Sequence, residues 1–206
     1  MFVITADQRG STTAGDHVDR LLASLKPWLA AWRRDVALPP ERTVGDEIQA
    51  VITTPDAAVD FALNLMRAGE WSVGIGVGAV DLPLRESARA SSGPAFVHAR
   101  RAVERARGRG EPVPLVVAAQ NAGAEEQATA IMQLLAAVVR RRTSAGWEVN
   151  DLLIDGATQK DVATHLGIST QAVSQRVASA MLDEERRARP VAAALLERAD
   201  DSGENA

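Results

Sequence analysis

The stretch QKDVATHLGISTQAVSQRV, residues 159–177, contains two short helical patterns that a glycine separates. Ala163 is small where two such helices would cross, and Gly167 can adopt the positive φ that a tight turn requires. Ser169 is a favourable N-cap for the second helix. The apolar positions that would fill the shared core recur at helical spacing: Val162, Leu166, Ile168, Val173 and Val177. This spacing predicts a helix-turn-helix.

The outer face of the second helix is polar, which suits contacts to base edges in duplex DNA. The expected base-reading residues are Thr170, Gln171, Ser174 and Gln175, and the cap residue Ser169 is also expected to lie at the DNA interface. Phosphate contacts would come from helix N-termini, from Lys160 and Arg176, and from the triplet Arg140-Arg141-Arg142. In the alternative interpretation, the triplet is a solvated helix end that interacts favourably with the helix dipole.

Charge favours a different interpretation of the helix-turn-helix. Residues 147–180 carry two basic and four acidic side chains, and the whole chain has a formal net charge of −4. Nonspecific affinity for nucleic acid comes mainly from phosphate neutralisation, so this balance argues against a general polyanion binder. An ordinary helical hairpin or a protein-interaction adaptor therefore stays open beside DNA binding. If the chain binds DNA, modest affinity per subunit implies a dimer.

Helical patterns extend on both sides of this stretch. Residues 147–155 supply the first helix of a trihelical unit, and further helices are predicted at 125–144 and 183–199. These flanking helices carry apolar stripes beyond what a small trihelical unit can bury: Ile131, Leu134, Leu135, Val138, Val191, Ala194 and Leu195. The stripes would pack across the two-fold axis of a homodimer, or onto the N-terminal part of the same chain.

The first 120 residues alternate between strand and helix patterns. The predicted strands lie at 2–6, twice within 42–53, at 71–80 and at 115–119. The predicted helices lie at 16–34, 54–68 and 95–107. Pro39-Pro40 is expected to break the chain before the hairpin at 42–53. This order predicts an α/β or α+β domain with a mixed sheet, of which we favour α+β.

The predicted strand at 71–80 alternates glycine with β-branched residues. Gly74, Gly76 and Gly78 fall on one face, which suits a central strand that another element approaches closely. The row is neither a P-loop nor a dinucleotide fingerprint, and close packing of a helix is sufficient to explain it.

Two aspartates end predicted strands. Asp7 begins DQRGST at residues 7–12, and Asp46 lies in the turn of RTVGD at residues 42–46. Two carboxylates at adjacent strand ends, near backbone N–H groups, form a hard-oxygen site that suits Mg²⁺ with a triphosphate. In the alternative, both aspartates are ordinary turn residues.

These two motifs resemble class III nucleotidyl cyclases, which carry an Asp-x-x-Gly-(Phe/Ser)-Thr strand end and a Lys-x-x-Gly-Asp hairpin. The resemblance implies a ferredoxin-like sheet and a purine nucleotide, with Asp7 and Asp46 as ligands of Mg²⁺ or Mn²⁺. The nucleotide-binding residues that it implies are Gln8, Arg9, Gly10, Ser11, Thr12, Arg42, Gly45 and Arg101.

The chain also departs from the cyclase pattern. Residues 93–101 resemble a Gly-x-x-Val-Asn-x-Ala-x-Arg helix, in which Arg101 matches the arginine that stabilises the transition state. Because cyclase-like domains share their sites between two chains, the resemblance implies that Arg101 of one subunit lies near Asp7 and Asp46 of the other. Val97 stands in place of the ribose-positioning asparagine, and Arg42 in place of the purine-contacting lysine. Losing the group that orients the 3′-hydroxyl affects catalysis more than binding. We therefore assign no catalytic residue and expect binding of ATP, GTP or a cyclic dinucleotide; an active cyclase is the alternative.

Nearly the whole chain resembles the SatD family, small cyclase-homology proteins fused to a helix-turn-helix that is itself similar to sigma-factor region 4. The motifs that carry the resemblance lie at residues 6–11, 45–49, 74–78, 93–100 and in the helix-turn-helix. The change of pattern gives a cyclase-like sensor domain at 1–122, a helical linker with a trihelical DNA-binding domain at 123–199, and a disordered tail at 200–206. The expected function is a transcription regulator, a homodimer that binds duplex DNA and responds to a nucleotide effector.

The composition excludes several kinds of site and indicates where in the cell the protein acts. The chain has no cysteine, which excludes disulfides, thiolate metal sites and a cysteine nucleophile, and its three histidines are scattered. It has no run of eighteen apolar residues, and Met1–Ala6 lacks the basic and apolar regions of an export signal. We therefore expect a cytoplasmic protein with no membrane partner.

Overall fold

The computed structural model describes residues 1–10 and 15–201, the side chain of Asp201 excepted. The strands are β1 (Phe2–Gln8), β2 (Val36–Arg42), β3 (Glu47–Ile52), β4 (Trp71–Val77) and β5 (Leu115–Ala118). The helices are α1 (Val18–Ser24), α2 (Lys26–Ala31), α3 (Pro55–Ala68), α4 (Pro94–Arg107), α5 (Ala122–Arg141), α6 (Ser144–Ile154), α7 (Gln159–Leu166), α8 (Thr170–Ser179) and α9 (Leu182–Asp201).

The five strands form one mixed sheet in the order β2-β3-β1-β4-β5. The central strand β1 is antiparallel to both neighbours, with Asp7 opposite Glu47 of β3 and Ser72 of β4. β5 is parallel to β4 and closes the other edge. The predicted α+β class, the mixed sheet and the helical C-terminal region are confirmed.

Helices cover both faces of the sheet because its inner strands are apolar on both sides. Phe2, Ile4 and Ala6 of β1 belong to a large core that includes side chains of α1 to α3. Val3, which points the opposite way, packs with Ala95 and Ala99 of α4 on the other face. Asp7 has the same parity as Val3, so it lies on the α4 side of the sheet.

Helices α5 and α9 pack onto the sheet of their own chain. Met132 and Leu135 of α5 and Leu196 of α9 lie in the same buried core as β1. The sequence leaves two alternatives open for the apolar stripes. Packing onto the N-terminal part of the same chain therefore accounts for the apolar side chains on the inner sides of α5 and α9. The predicted domain limit near residue 122 follows the change of sequence pattern, whereas the core joins α5 and α9 to the sheet.

Helices α6 to α8 have a separate small core between α5 and α9. Its buried side chains include Val149, Val162, Val173 and Val177. By packing, these three helices, residues 144–179, are an inserted unit. The rest of the fold, which we call the sheet domain, consists of the sheet with α1 to α5 and α9.

The chain differs from the predicted elements at three prolines. β2 runs through Pro39-Pro40, so the expected break there is wrong. β2 is an edge strand whose register to β3 shifts between Leu38 and Glu41, and proline, which lacks an N–H donor, is tolerated at such positions. The helix predicted at 16–34 is two helices, and Pro27 lies in the first turn of the second.

The predicted disordered tail differs from the structure at its first two residues. Asp200 and Asp201 are the last residues of α9, and Asp200 Oδ2 accepts a hydrogen bond from the amino terminus of Met1 at 2.7 Å. Residues 202–206 lie outside the described part of the chain, as do Ser11 and Thr12 of the predicted nucleotide site.

Candidate functional site

Local hydrogen bonds fix the turn between α7 and α8. Thr158 and Asp161 form a reciprocal capping box at the start of α7. Gly167 ends this helix in the left-handed conformation, with φ 65° and ψ 31°, as the sequence predicts. The Ser169 side chain caps α8 by accepting a hydrogen bond from the Ala172 N–H at 3.1 Å. The two helices are therefore joined by a short, fully capped turn.

The fold of this unit places the predicted base-reading residues on one accessible surface. Val173 and Val177 turn one side of α8 into the core of the unit. The cap residue Ser169 is exposed, as are all four expected base readers: Thr170, Gln171, Ser174 and Gln175. Lys160 is exposed in the first turn of α7. No part of the described chain covers this surface, which we call the reading face.

The reading face contains two residues of α8 that are not among those predicted from the sequence. Ala178 and Ser179 are exposed and extend the reading face by one turn beyond Gln175. Helical spacing from Gln171 and Gln175 could have identified them. Arg176, an expected phosphate contact, is half-buried on the flank of α8 and pairs with Glu148 of α6 at 3.3 Å.

The three residues of the arginine triplet differ in burial and in partners. The Arg142 side chain is 1% exposed, pairs with Glu185 of α9 and donates two hydrogen bonds to the Ala180 carbonyl, at 3.1 and 3.2 Å. Arg142 is therefore neither a DNA contact nor a solvated helix end, and both interpretations are wrong for this residue. Arg140 and Arg141 are exposed.

Arg142 belongs to a polar junction between the inserted unit and the sheet domain. Its guanidinium carbon lies 4.4 Å from the centre of the Trp147 ring, and that of Arg67 lies 3.9 Å from it. Arg67 also forms two hydrogen bonds with Asp151, at 2.7 and 2.6 Å. Burial raises the pKa of Asp151, but the bonds from Arg67 and Asn150 and the nearby positive charges lower it more, so the net shift is downward.

A cleft opens between the start of α6 and the flank of α8. Its volume is about 380 Å³, and Arg141, Thr143, Gly146, Gln175, Arg176 and Ser179 contribute to its lining. Gln175 therefore belongs both to the reading face and to this cleft.

The second candidate site lies at the end of β1. The Asp7 carboxylate is buried and pairs with Arg107, from the last turn of α4, at 3.0 Å. Burial raises the pKa of Asp7; the charge of Arg107 opposes that shift, and the charges of Asp46 and Glu47 add to it. Asp46 lies next to the same strand end, since its carbonyl accepts a hydrogen bond from the Gln8 N–H at 3.2 Å.

Most of the predicted nucleotide contacts have partners within the chain. Gln8 is buried, donates to the Gly15 carbonyl at 2.6 Å and accepts from the His17 N–H at 2.8 Å. Arg42 holds Asp16 through two hydrogen bonds, at 2.7 and 3.1 Å, and donates to the carbonyl of Gly45. Arg9 and Gly10 are exposed, and Gly10 has φ 73°.

Arg101 faces a different neighbour from the one that the resemblance implies. It donates to the Ala119 carbonyl at 2.9 Å and pairs with Glu125 of α5 at 2.5 Å. Within one chain, Arg107 is the arginine that meets Asp7. The expected approach of Arg101 to Asp7 and Asp46 involves a second subunit and stays a prediction.

The described residues do not form a ready metal site. Across residues 1–10 and 15–201, no group of three or more histidine or acidic side chains is arranged to hold a metal ion. A cation at Asp7 would compete with the guanidinium of Arg107 for Oδ2.

No helix within the described ranges is long and apolar enough to cross a membrane. Comparisons with family models, with curated proteins and with solved structures find no match for this chain.

Proposed function

We propose that this protein is a cytoplasmic transcription regulator that binds duplex DNA through α8. The observation that carries the proposal is the reading face. Gln171 and Gln175 lie one helical turn apart and are exposed, while Val173 and Val177 anchor the opposite side of the helix. A capped helix with such a polar face fits the major groove, where glutamine can form paired hydrogen bonds with adenine.

The paired acidic residues remove part of the charge objection to DNA binding. Asp151 is engaged by Arg67, Glu148 pairs with Arg176, and Asp161 is held by Thr158 in the capping box. Arginines therefore offset two of the four acidic charges of residues 147–180, whereas Asp155 and Asp161 keep theirs. Affinity would still be modest for one subunit, since few cations face the DNA.

The test is selection of a DNA sequence by the full chain, followed by binding of glutamine variants. We expect Gln171→Ala or Gln175→Ala to cost about 1 to 3 kcal/mol at the selected site while nonspecific binding changes little. The matched control is Gln127→Ala, which removes an exposed glutamine of α5 far from the reading face. Equal binding by the wild type and the double variant would disprove the assignment.

The same experiment separates DNA binding from the adaptor alternative. A protein-interaction surface would select no DNA sequence, and its glutamine variants would lose a protein partner instead. Retention of a sequence-selected duplex favours the regulator.

A nucleotide effector site at the end of β1 is our second proposal. It is supported by the hydrogen bond from the Gln8 N–H to the Asp46 carbonyl at 3.2 Å, which brings Asp46 next to the strand end that carries Asp7. It is also supported by the strand order β2-β3-β1-β4, antiparallel throughout, which is the order of a ferredoxin-like core. This order agrees with the implied cyclase-homology fold and with the resemblance to the SatD family. The proposed ligand is ATP, GTP or a cyclic dinucleotide, with Mg²⁺ or Mn²⁺ as the expected ion.

A homodimer completes the proposal. Leu134 on α5 is 61% exposed and Val191 on α9 is 52% exposed, and both belong to the outer sides of helices whose inner sides cover the sheet. Exposed apolar side chains on two adjacent helices favour self-association, and two reading faces related by a two-fold axis would recognise a pseudo-palindromic site.

A further inference from the structure

The cleft beside α8 combines features that suit a phosphate group. Two of its lining residues, Arg141 and Arg176, carry guanidinium groups, and the cleft includes the N-terminus of α6 at Thr143. Guanidinium forks and helix N-termini both favour phosphate oxygens, the former by paired hydrogen bonds and the latter by free N–H groups.

Arg141 and Arg176 differ in whether an acidic side chain of the protein pairs with them. Within the described part of the chain, Arg141 pairs with no acidic side chain, whereas Arg142 pairs with Glu185 and Arg176 with Glu148. The Arg176 pair is long, at 3.3 Å, and Glu148 is 57% exposed, so water screens it. The cleft therefore retains a net positive charge on the side that Arg141 occupies.

The position of the cleft relative to the reading face identifies the kind of phosphate. Gln175 and Ser179 line the cleft and also lie on the reading face, and Arg176 occupies the adjacent flank of α8. When a helix lies in the major groove, its flanks face the sugar-phosphate walls. A group in this cleft would thus lie where a backbone phosphate runs.

We infer that this cleft holds a backbone phosphate of the DNA, with Arg141 as its main contact. The inference rests on the proposed function and extends it, since Arg141 lies at the end of α5 and therefore in the sheet domain by packing. The DNA interface is then shared by the inserted unit and the sheet domain. Of the arginine triplet, only Arg141 has this role: Arg142 is buried in the junction, and Arg140 is exposed outside the cleft.

The experiment compares Arg141→Gln with Arg140→Gln in the full chain. Both changes remove one exposed arginine from the end of α5, but only the first removes a cleft residue. Binding is measured by fluorescence anisotropy on a selected duplex and on a scrambled duplex over a range of salt concentrations. The thermal unfolding midpoint of each variant serves as the folding control.

The salt dependence is the decisive readout. Loss of one phosphate contact should reduce the slope of log K against log[salt] by about 0.9 on both duplexes. From about 50 to 200 mM salt, the wild-type affinity should then fall by an additional factor of roughly 3.5 relative to Arg141→Gln. Arg176→Gln should lower the slope in the same direction, and Arg140→Gln should keep the wild-type slope.

Each other outcome has a distinct meaning. A wild-type protein that binds duplex DNA, with Arg141→Gln retaining the wild-type slope, overturns the cleft assignment and leaves the proposed function standing. Equal reductions in Arg141→Gln and Arg140→Gln also overturn it, since the effect would then be one of general charge. A wild-type protein that binds no duplex overturns the proposed function and this inference together.

Discussion

At the scale of single residues, Arg107 is the group with which a cation at the proposed site would compete. Its guanidinium lies 3.0 Å from Asp7 Oδ2, and its side chain is 58% exposed, so a cation from solution would compete with it for that oxygen atom. The charges of Asp46 and Glu47, by contrast, raise the pKa of Asp7 and would favour any cation that enters. Arg107 and these two carboxylates thus act on Asp7 in opposite directions.

We predict opposite effects of two substitutions on binding of Mg²⁺ with ATP or GTP. Asp7→Asn should abolish it, because the amide carries no charge. Arg107→Gln should strengthen it on the order of tenfold, because a competing charge is removed. Arg109→Gln, an exposed arginine two residues further on, should leave it unchanged. The measurement is calorimetric titration, and the absence of heat in every protein, Arg107→Gln included, would make the Asp7–Arg107 pair purely structural.

Ion pairs explain why the charged residues of both candidate sites could be predicted from the sequence whereas their partners could not. Arg42 pairs with Asp16, Arg101 with Glu125 and Arg176 with Glu148. Each pair joins residues more than twenty positions apart, so no local pattern reveals it. The sequence therefore predicts which residues carry charge near a site, whereas the partners that use this charge follow only from the packing of whole elements.

At the scale of elements, the contact between β4 and α4 depends on the absence of side chains. A Cβ at Gly76 would lie 2.1 Å from the Ala95 carbonyl oxygen, and one at Gly74 would lie 2.3 Å from the Val103 nitrogen. The atoms in question belong to the helix backbone, which cannot rotate away. The close approach predicted for the glycine row is therefore that of a helix, and a ligand is not needed to explain it.

We predict that Gly76→Ala destabilises the protein by at least about 2 kcal/mol, because the added methyl group forces α4 away from the sheet. The control is Gly110→Ala, where the added Cβ meets nothing within 4 Å, and it should change the free energy of unfolding by less than about 0.5 kcal/mol. Urea denaturation measures both. Similar stability of the two variants would show that α4 adjusts easily and that the glycine row has another role.

Most element types could be predicted from periodicity, because hydrophobic spacing, caps and glycine turns are local signals. The caps at Ser169 and Thr158 and the turn at Gly167 are of this kind. The path of β2 through Pro39-Pro40 could not be predicted, since its tolerance depends on an edge position that the whole sheet determines. For the same reason, the sequence left open whether α5 and α9 pack within the chain or between chains.

At the scale of the whole molecule, one chain of polar contacts leads from the inserted unit into the sheet domain. Arg142 pairs with Glu185, Glu185 with Arg189, and Arg189 with Asp60 of α3. Asp60 also accepts hydrogen bonds from the indole N–H groups of Trp28 and Trp32. A ligand that displaced α2 or α3 would disturb this series of polar contacts. The reading face would change position only if the protein has two arrangements and the ligand binds them with different affinities.

In a homodimer, two reading faces must reach the DNA together. Two recognition helices that enter successive major grooves must be roughly 34 Å apart, so a fixed dimer is needed to set their distance. The candidate dimer surface is the exposed side of α5 and α9, around Leu134 and Val191. Because the inner sides of these helices are already in the core, a charge on the outer side should separate subunits without unfolding them.

We expect Leu134→Glu to convert a dimer into a monomer in light scattering and to weaken binding to a palindromic site by about 100-fold, since the second half-site no longer adds to the first. Binding to an isolated half-site should stay the same, which distinguishes lost dimerisation from a damaged reading face. The matched control is Leu82→Glu, which places the same charge at a leucine that is 73% exposed in the loop between β4 and α4. A wild-type protein that is monomeric at DNA-binding concentrations, or a Leu134→Glu variant that remains dimeric, would place the subunit contact elsewhere or remove it.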